Sequence, residues 1–238
     1  MTENEIRIHA ESDNSREFIA VDTSGENYVI DVSTGGYSFM YSAVMSVKEL
    51  SCTEVDNLVL THYHIYHPGA INRLSDVIKI RNVLLPIPET EAETEIFTET
   101  AASLIKLGIP YGLYRRGETY TGENAIIDFA PVVKISRSVK PIVIFSFICG
   151  DSKFSYIESA AFESDFDLSA YISADTVFIG GHGPSRKKVT PYSSLEKAES
   201  IIFAEDTFES FDIPSDDGRY RVTSDGGINI TLEHEKTE

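Results

Sequence analysis

The chain has little with which to cross-link itself and nothing with which to span a bilayer. Cys52 and Cys149 are the only cysteines in 238 residues. Two thiols do not make a disulfide framework, and a reducing, cytoplasmic compartment is the expectation. No run approaches the ~18 apolar residues of a membrane helix. The longest, Ile142 to Cys149, is interrupted by Ser146. The opening stretch MTENEIRIHAESD has no basic start and no apolar core, so it does not read as a secretory signal. Basic residues are scarce, with 20 Lys and Arg against 38 Asp and Glu, a net charge of −18. A field of that sign repels nucleic acid and anionic membranes, so a nucleic-acid role would need a local basic patch. Repeats, low-complexity tracts and linkers are also missing. What remains is 42% hydrophobic and 24% charged, enough to bury one core, and a single domain over residues 1–238 is expected.

The pattern along the chain alternates strands and helices. IRIHA, EFIAVD and NYVIDV are short β-rich segments parted by polar turns. YSAVMSVKELS has helical spacing, with Val44, Val47 and Leu50 on one face. DNLVLTH is a continuous apolar strand of the buried type. A helix follows from HPGAINRLSDVIKI with Pro68 in its first turn, and RNVLLP is another strand. Residues 88–107 predict a helix with early acids, a buried face of Ile96, Leu104 and Leu107, and Gly108 and Pro110 at its end. ENAIIDFA, PVVKIS, PIVIFSFICG, DTVFIGG, ESIIFAED, GRYRVTSD and GINITL predict further strands. Mixed sheets covered by helices give a layered α/β fold class.

Six histidines occur, and three of them fall within THYHIYHPGA at positions 61–70. His62 and His64 are two apart after a strand, so extended backbone points both the same way. His67 stands at the mouth of the next helix. Neutral imidazole is the commonest protein ligand for zinc and its relatives, and three in six residues favour a metal over a merely polar loop. Two later segments match. SFICGD puts Asp151 on a turn after an apolar strand, and FIGGHGPS puts His182 in a glycine-rich turn after another. Open α/β sheets assemble sites at strand ends in this way.

These motifs in this order resemble the metallo-β-lactamase superfamily. More narrowly, the whole chain is similar to the hydrolase-like domain of ComEC-type competence (DNA-uptake) proteins. The similarity is carried by VIDVSTGG, THYHIYHPGA, SFICGD, GGHGPS and TSDGGINI. The resemblance implies an αββα sandwich with a metal site at one edge of two sheets and hydrolysis by a metal-bound hydroxide. By position it assigns His62 and His64 to one metal, His67 and His182 to a second, and Asp151 to a bridge between them. Asp151 and His67 are then the groups expected at the reaction. Asp31 matches an acid beneath the site that orients the histidine loop.

Two positions depart from the pattern. Tyr66 stands where the superfamily has Asp, and a phenol of pKa about 10 is a poor substitute for a carboxylate. Gly181 replaces the first histidine of the family's HHGS. No histidine lies between Asp76 and Gly150, where many superfamily members have one. Two divalent ions would then face one carboxylate and a hydroxide, and the excess positive charge favours a single ion. Zinc is expected first and manganese second. The expected function is a mononuclear or weakened metal-dependent hydrolase, acting on phosphodiesters or another small substrate. The alternative is a degenerate member that binds a ligand or partner. Within SRKK, Arg186 and Lys187 are candidates to grip a phosphate, against the reading of a solvated basic turn. Arg115 and Arg116 are expected to be solvated. Cys149 is expected in the core, and His9 and His234 away from the site.

Overall fold

The computed structural model describes residues 5–13, 16–23, 25–31, 44–45, 47–48, 50, 52–63, 67–133, 142–180, 190–191, 195–204, 211–212, 218–223 and 228–233. The first strands are β1 (Glu5–Asp13), β2 (Arg16–Asp22), β3 (Asn27–Ile30) and β4 (Glu54–Val59). Helix α1 (His67–Ser75), β5 (Lys79–Pro86), α2 (Glu91–Leu107) and β6 (Tyr111–Tyr114) follow. Next come β7 (Thr119–Thr121), β8 (Ile126–Phe129), β9 (Ile144–Cys149) and β10 (Ser152–Glu158). A 3-10 turn (Ser159–Glu163) and the short α3 (Ser169–Ile172) lead to β11 (Thr176–Gly180). The chain closes with β12 (Thr190–Pro191), β13 (Ser200–Phe203), β14 (Phe211–Asp212), β15 (Tyr220–Val222) and β16 (Ile228–Glu233).

Two seven-stranded sheets result, in the orders β16-β1-β2-β3-β4-β5-β6 and β15-β13-β11-β10-β9-β8-β7. Three apolar layers stack through them. The middle layer joins the inward faces: Ile6 and Ile8 of β1, Ile19 and Val21 of β2, and Tyr28 of β3 meet Phe145 and Phe147 of β9 and Phe154 and Tyr156 of β10. Alternation along each strand sends the intervening residues outward. Phe18 and Ala20 thus join Ala70, Ile71 and Leu74 of α1 and Leu104 of α2 on the outside of the first sheet. Ile144 and Ile157 join Ala161, Leu168, Tyr171 and Ile172 on the outside of the second. The architecture is the αββα sandwich expected.

Several predicted elements shift. Helix α2 begins at Glu91, because Thr90 caps it by accepting a hydrogen bond from Glu93 N–H at 3.2 Å. Its buried residues are Glu93, Thr100, Ala101 and Leu104. Leu107 is exposed and Ile96 only partly covered. Gly108 ends the helix at φ 68°, as a left-handed cap should. Val44, Val47 and Leu50 are buried on one face as predicted. Among the described residues of PVVKIS, Val133 alone is in β structure, bridged to Ile142; residues 134–136 lie outside those described. Strand β10 is an addition to the predicted set, and it returns the chain across the whole second sheet directly after β9. Among the described residues no helix is long and apolar enough to cross a membrane.

Candidate functional site

In the first sheet the pairings β3/β4, β4/β5 and β5/β6 are all parallel, so these strands release their following loops at one edge. At that edge Asp31 follows β3. Its N–H extends the ladder to Val59 O at 2.9 Å, and the chain then turns through φ 49°. Asp tolerates this left-handed conformation better than most residues. The turn aims its carboxylate at the loop leaving β4. Oδ1 accepts the Thr61 N–H at 2.8 Å, and Oδ2 accepts the Thr61 hydroxyl. His62 Nδ1 lies 3.1 Å from Thr61 Oγ1 and 3.7 Å from Asp31 Oδ2. Asp31, Thr61 and His62 are all buried.

A hydroxyl has one proton, and the Thr61 hydroxyl gives it to Asp31, so Oγ1 is left to accept from His62 Nδ1. A metal-ligating histidine is prepared in this way, with the far nitrogen tied to an oxygen partner. The donor chemistry at His62 fits a divalent metal.

The loop is held from other sides as well. Leu60 N–H bonds Leu84 O at 2.9 Å and Leu60 O accepts the Tyr114 hydroxyl at 2.8 Å. The Tyr63 hydroxyl donates to Pro86 O, and burial pushes its pKa well up. A small void of about 20 Å³ lies between Thr61, Tyr114 and Arg116 on the first sheet's side and Phe129, Ala130 and Val143 on the second. It identifies which end of the second sheet meets this edge: the start of β9 and the end of β10. There Glu158, buried at the last position of β10, exchanges two hydrogen bonds with Val143. Its N–H donates to Val143 O and its Oε2 accepts the Val143 N–H, both at 2.9 Å.

Asp151 does not reach this edge. It occupies the two-residue turn Gly150–Asp151 between β9 and β10, whose register pairs Cys149 with Ser152, and it is exposed. Gly150 has φ 58°, as such hairpin turns require. From there β10 runs to Glu158 at about 3.3 Å per residue, so Asp151 sits roughly 20 Å away at the opposite end of the sheet. Asp151, expected as the bridging acid, thus lies at the end of the second sheet away from Thr61, and the acid at the end that meets Thr61 is Glu158. The missed signal was Gly-Asp as a hairpin turn followed by the alternating segment KFSYIE.

Of the remaining predicted residues, His67 opens α1, with its side chain outside the described residues. His64, Tyr66, His182, Arg186 and Lys187 also lie outside them. Among the described residues no three His, Cys, Asp or Glu converge as a complete metal site needs. Arg115 is exposed, as expected, 3.4 Å from Glu118. Arg116 is the opposite: its side chain is 6% exposed. Cys149 is buried in the core between the sheets.

Similar solved structures cover nearly the whole chain. A diphosphatase of the PhnP family aligns with a TM-score of 0.58 and 16% identity, over 96% of this chain and 97% of that one. Zinc-bound PqqB from Methylobacterium extorquens aligns with a TM-score of 0.58 and 14% identity, over 97% and 100%. The chain has the metallo-β-lactamase fold. None of the protein-family models matches the sequence, and no curated protein matches it. At such identities the fold is what is shared. Asp31, Thr61 and His62 lie at one edge of the first sheet, and the void beside Thr61 is shared with Val143, the backbone partner of Glu158 in the second.

Proposed function

We propose that this protein is a metal-dependent hydrolase of phosphate esters, phosphodiesters in particular. The observation that carries the proposal is the Asp31–Thr61–His62 network, in which Nδ1 of His62 meets a hydroxyl held by a buried carboxylate, the kind of partner a metal-ligating imidazole has. The ion would be held by His62 with His64, His67 and His182, and Glu158 takes the carboxylate place that the order of motifs gives to Asp151. One ion is proposed, zinc before manganese, because a neutral Tyr66 leaves the site a carboxylate short. When bound, such an ion supplies a Lewis acid and a hydroxide at neutral pH. Asp31 and Thr61 hold the histidine proton, and Arg186 and Lys187 remain the candidates to anchor a phosphate. The ComEC-like order of motifs and the likeness to a diphosphatase support phosphorus chemistry. Both described cysteines are unpaired, which supports a reducing, cytoplasmic setting.

The test starts with untagged protein supplemented with zinc. Metal content near one per chain is expected, together with hydrolysis of bis(p-nitrophenyl) phosphate in Zn²⁺ or Mn²⁺. His64→Ala and Glu158→Gln should each lose both, and Asp151→Asn neither. Metal content near zero would sink the proposal in favour of a ligand- or partner-binding role. Loss of metal in Asp151→Asn would return the carboxylate to Asp151.

A further inference from the structure

Arg116 is a buried cation just past the end of the edge strand β6. Its fork meets Glu93, with Nη2 to Oε1 at 2.9 Å and Nη1 to Oε2 at 3.4 Å. Glu89 Oε1 lies 3.9 Å away. Glu93 is the capping acid of α2: its own N–H donates to Thr90, and its Oε2 also accepts the Glu89 N–H at 2.8 Å. The guanidinium is thus fixed to the start of a helix that packs outside the sheet. Its third nitrogen, Nε, faces Thr61 O at 3.4 Å. Thr61 is the residue whose N–H and hydroxyl are both bound by Asp31. Thr61, which leads into His62, is therefore gripped at its N–H by an anion and at its carbonyl by a cation.

We propose that Arg116 is a positioning residue for the His62 loop, acting through Thr61 and anchored by Glu93. The inference rests on the metal reading for its effect on binding, and on the hydrogen bonds alone for its effect on the loop. A planar fork locked by a bidentate carboxylate leaves Nε with one fixed direction. Lysine has no such geometry. A purely electrostatic role makes the opposite forecast, because removing a buried positive charge would strengthen the binding of a metal cation.

The variants are Arg116→Lys, Arg116→Gln and the double change Arg116→Gln with Glu93→Gln, which spares Glu93 from being left an unpaired buried charge. Hydrogen exchange at Leu60, Thr61 and His62 is measured on metal-free protein, and zinc affinity by competition with a chromophoric chelator. Exchange at these amides should accelerate in all three variants, while amides of β9 and β10 stay protected. Zinc affinity should fall roughly 10-fold in the folded variants, in the range typical for partners of metal ligands. Unchanged exchange at residues 60–62 in folded protein would overturn the proposal. Tighter zinc binding in Arg116→Gln would replace positioning with charge. If the unaltered protein bound no zinc but the exchange effect remained, the metal reading would fail and the positioning role would stand.

Discussion

The two sheets are built to one plan and finished differently. Each has three antiparallel joins followed by three parallel ones. The change comes between β3 and β4 in the first sheet and between β10 and β11 in the second. Each strand at the change ends in an acid. Asp31 follows Ile30, whose register partner is Val59, and His62 comes three positions after Val59. Glu158 follows Ile157, whose partner is Ile179, and His182 comes three positions after Ile179. The candidate site thus lies where strand direction switches in both sheets, the place where open α/β sheets gather ligands. The finishing differs. Asp31 reaches forward to the loop after the next strand, whereas Glu158 reaches back to Val143 before β9. Thr61 supplies a hydroxyl between acid and imidazole, and its sequence counterpart is Gly181, which has none. The first half is organised to hold a histidine still. The acid of the second is bound to the backbone N–H of Val143.

The largest way to break this comparison is Asp31→Ala. It strips two buried donors of their acceptor and forces alanine into a left-handed turn, at an expected cost of about 3 kcal/mol or more in urea denaturation. Asp31→Asn tolerates the turn and keeps an acceptor for the Thr61 N–H, so roughly half that loss is expected. Glu158→Gln also keeps an acceptor for the Val143 N–H and should cost less than about 1 kcal/mol. Equal losses at the two acids would show the halves to be mechanically equivalent and erase the difference between them.

A second comparison sets the site edge against the opposite end. At that far end Glu26 ties the sheets together. It accepts from the Tyr28 hydroxyl, from Asn57 Nδ2 at 2.6 Å and from Glu123 N–H at 2.8 Å. Gly122 sits against this cluster, where an added Cβ would overlap the Tyr28 hydroxyl. Gly122→Ala should therefore cost about 1–3 kcal/mol through overpacking. Metal content should not change, because the site lies across the sandwich. Loss of metal would show that the two ends are coupled.

The sequence made the strands legible wherever an apolar run was bounded by turn residues, as in DNLVLTH and DTVFIGG. The histidine cluster was legible as three imidazoles in six residues, of which the described residues place the His62 side chain. The internal plan stayed hidden, because the halves repeat in strand direction and register rather than in residues. Strand β10 stayed hidden for a more specific reason. SKFSYIE mixes serines with aromatics, and the buried hydroxyls of Ser146 and Ser155 satisfy each other across β9 and β10 at 2.8 Å, so polarity there does not mean exposure. Without that strand, the acid falls at the wrong end of the sheet. Arg116 looked like a solvated charge because its partner Glu93 is distant in sequence and close only after folding.

The smallest expected signal compares the two thiols. Burial raises the pKa of both, most at Cys52, which is pushed up to about 11 with the Asp22 carboxylate adding to the effect. The neutral thiol of Cys52 is the form the fold favours. Its contribution to stability is fully present below the ordinary thiol value of 9.0 and is lost as pH rises toward about 11. At pH 8 the thiolate is then a very small fraction, and iodoacetamide should modify Cys52 in folded protein far more slowly than in urea. Cys149 is more buried and should be slower still. Rapid modification of Cys52 at pH 8 would mean that the packing of Leu50 and Cys52 beside Arg7 opens readily, and that the first half is the looser one away from its histidine loop.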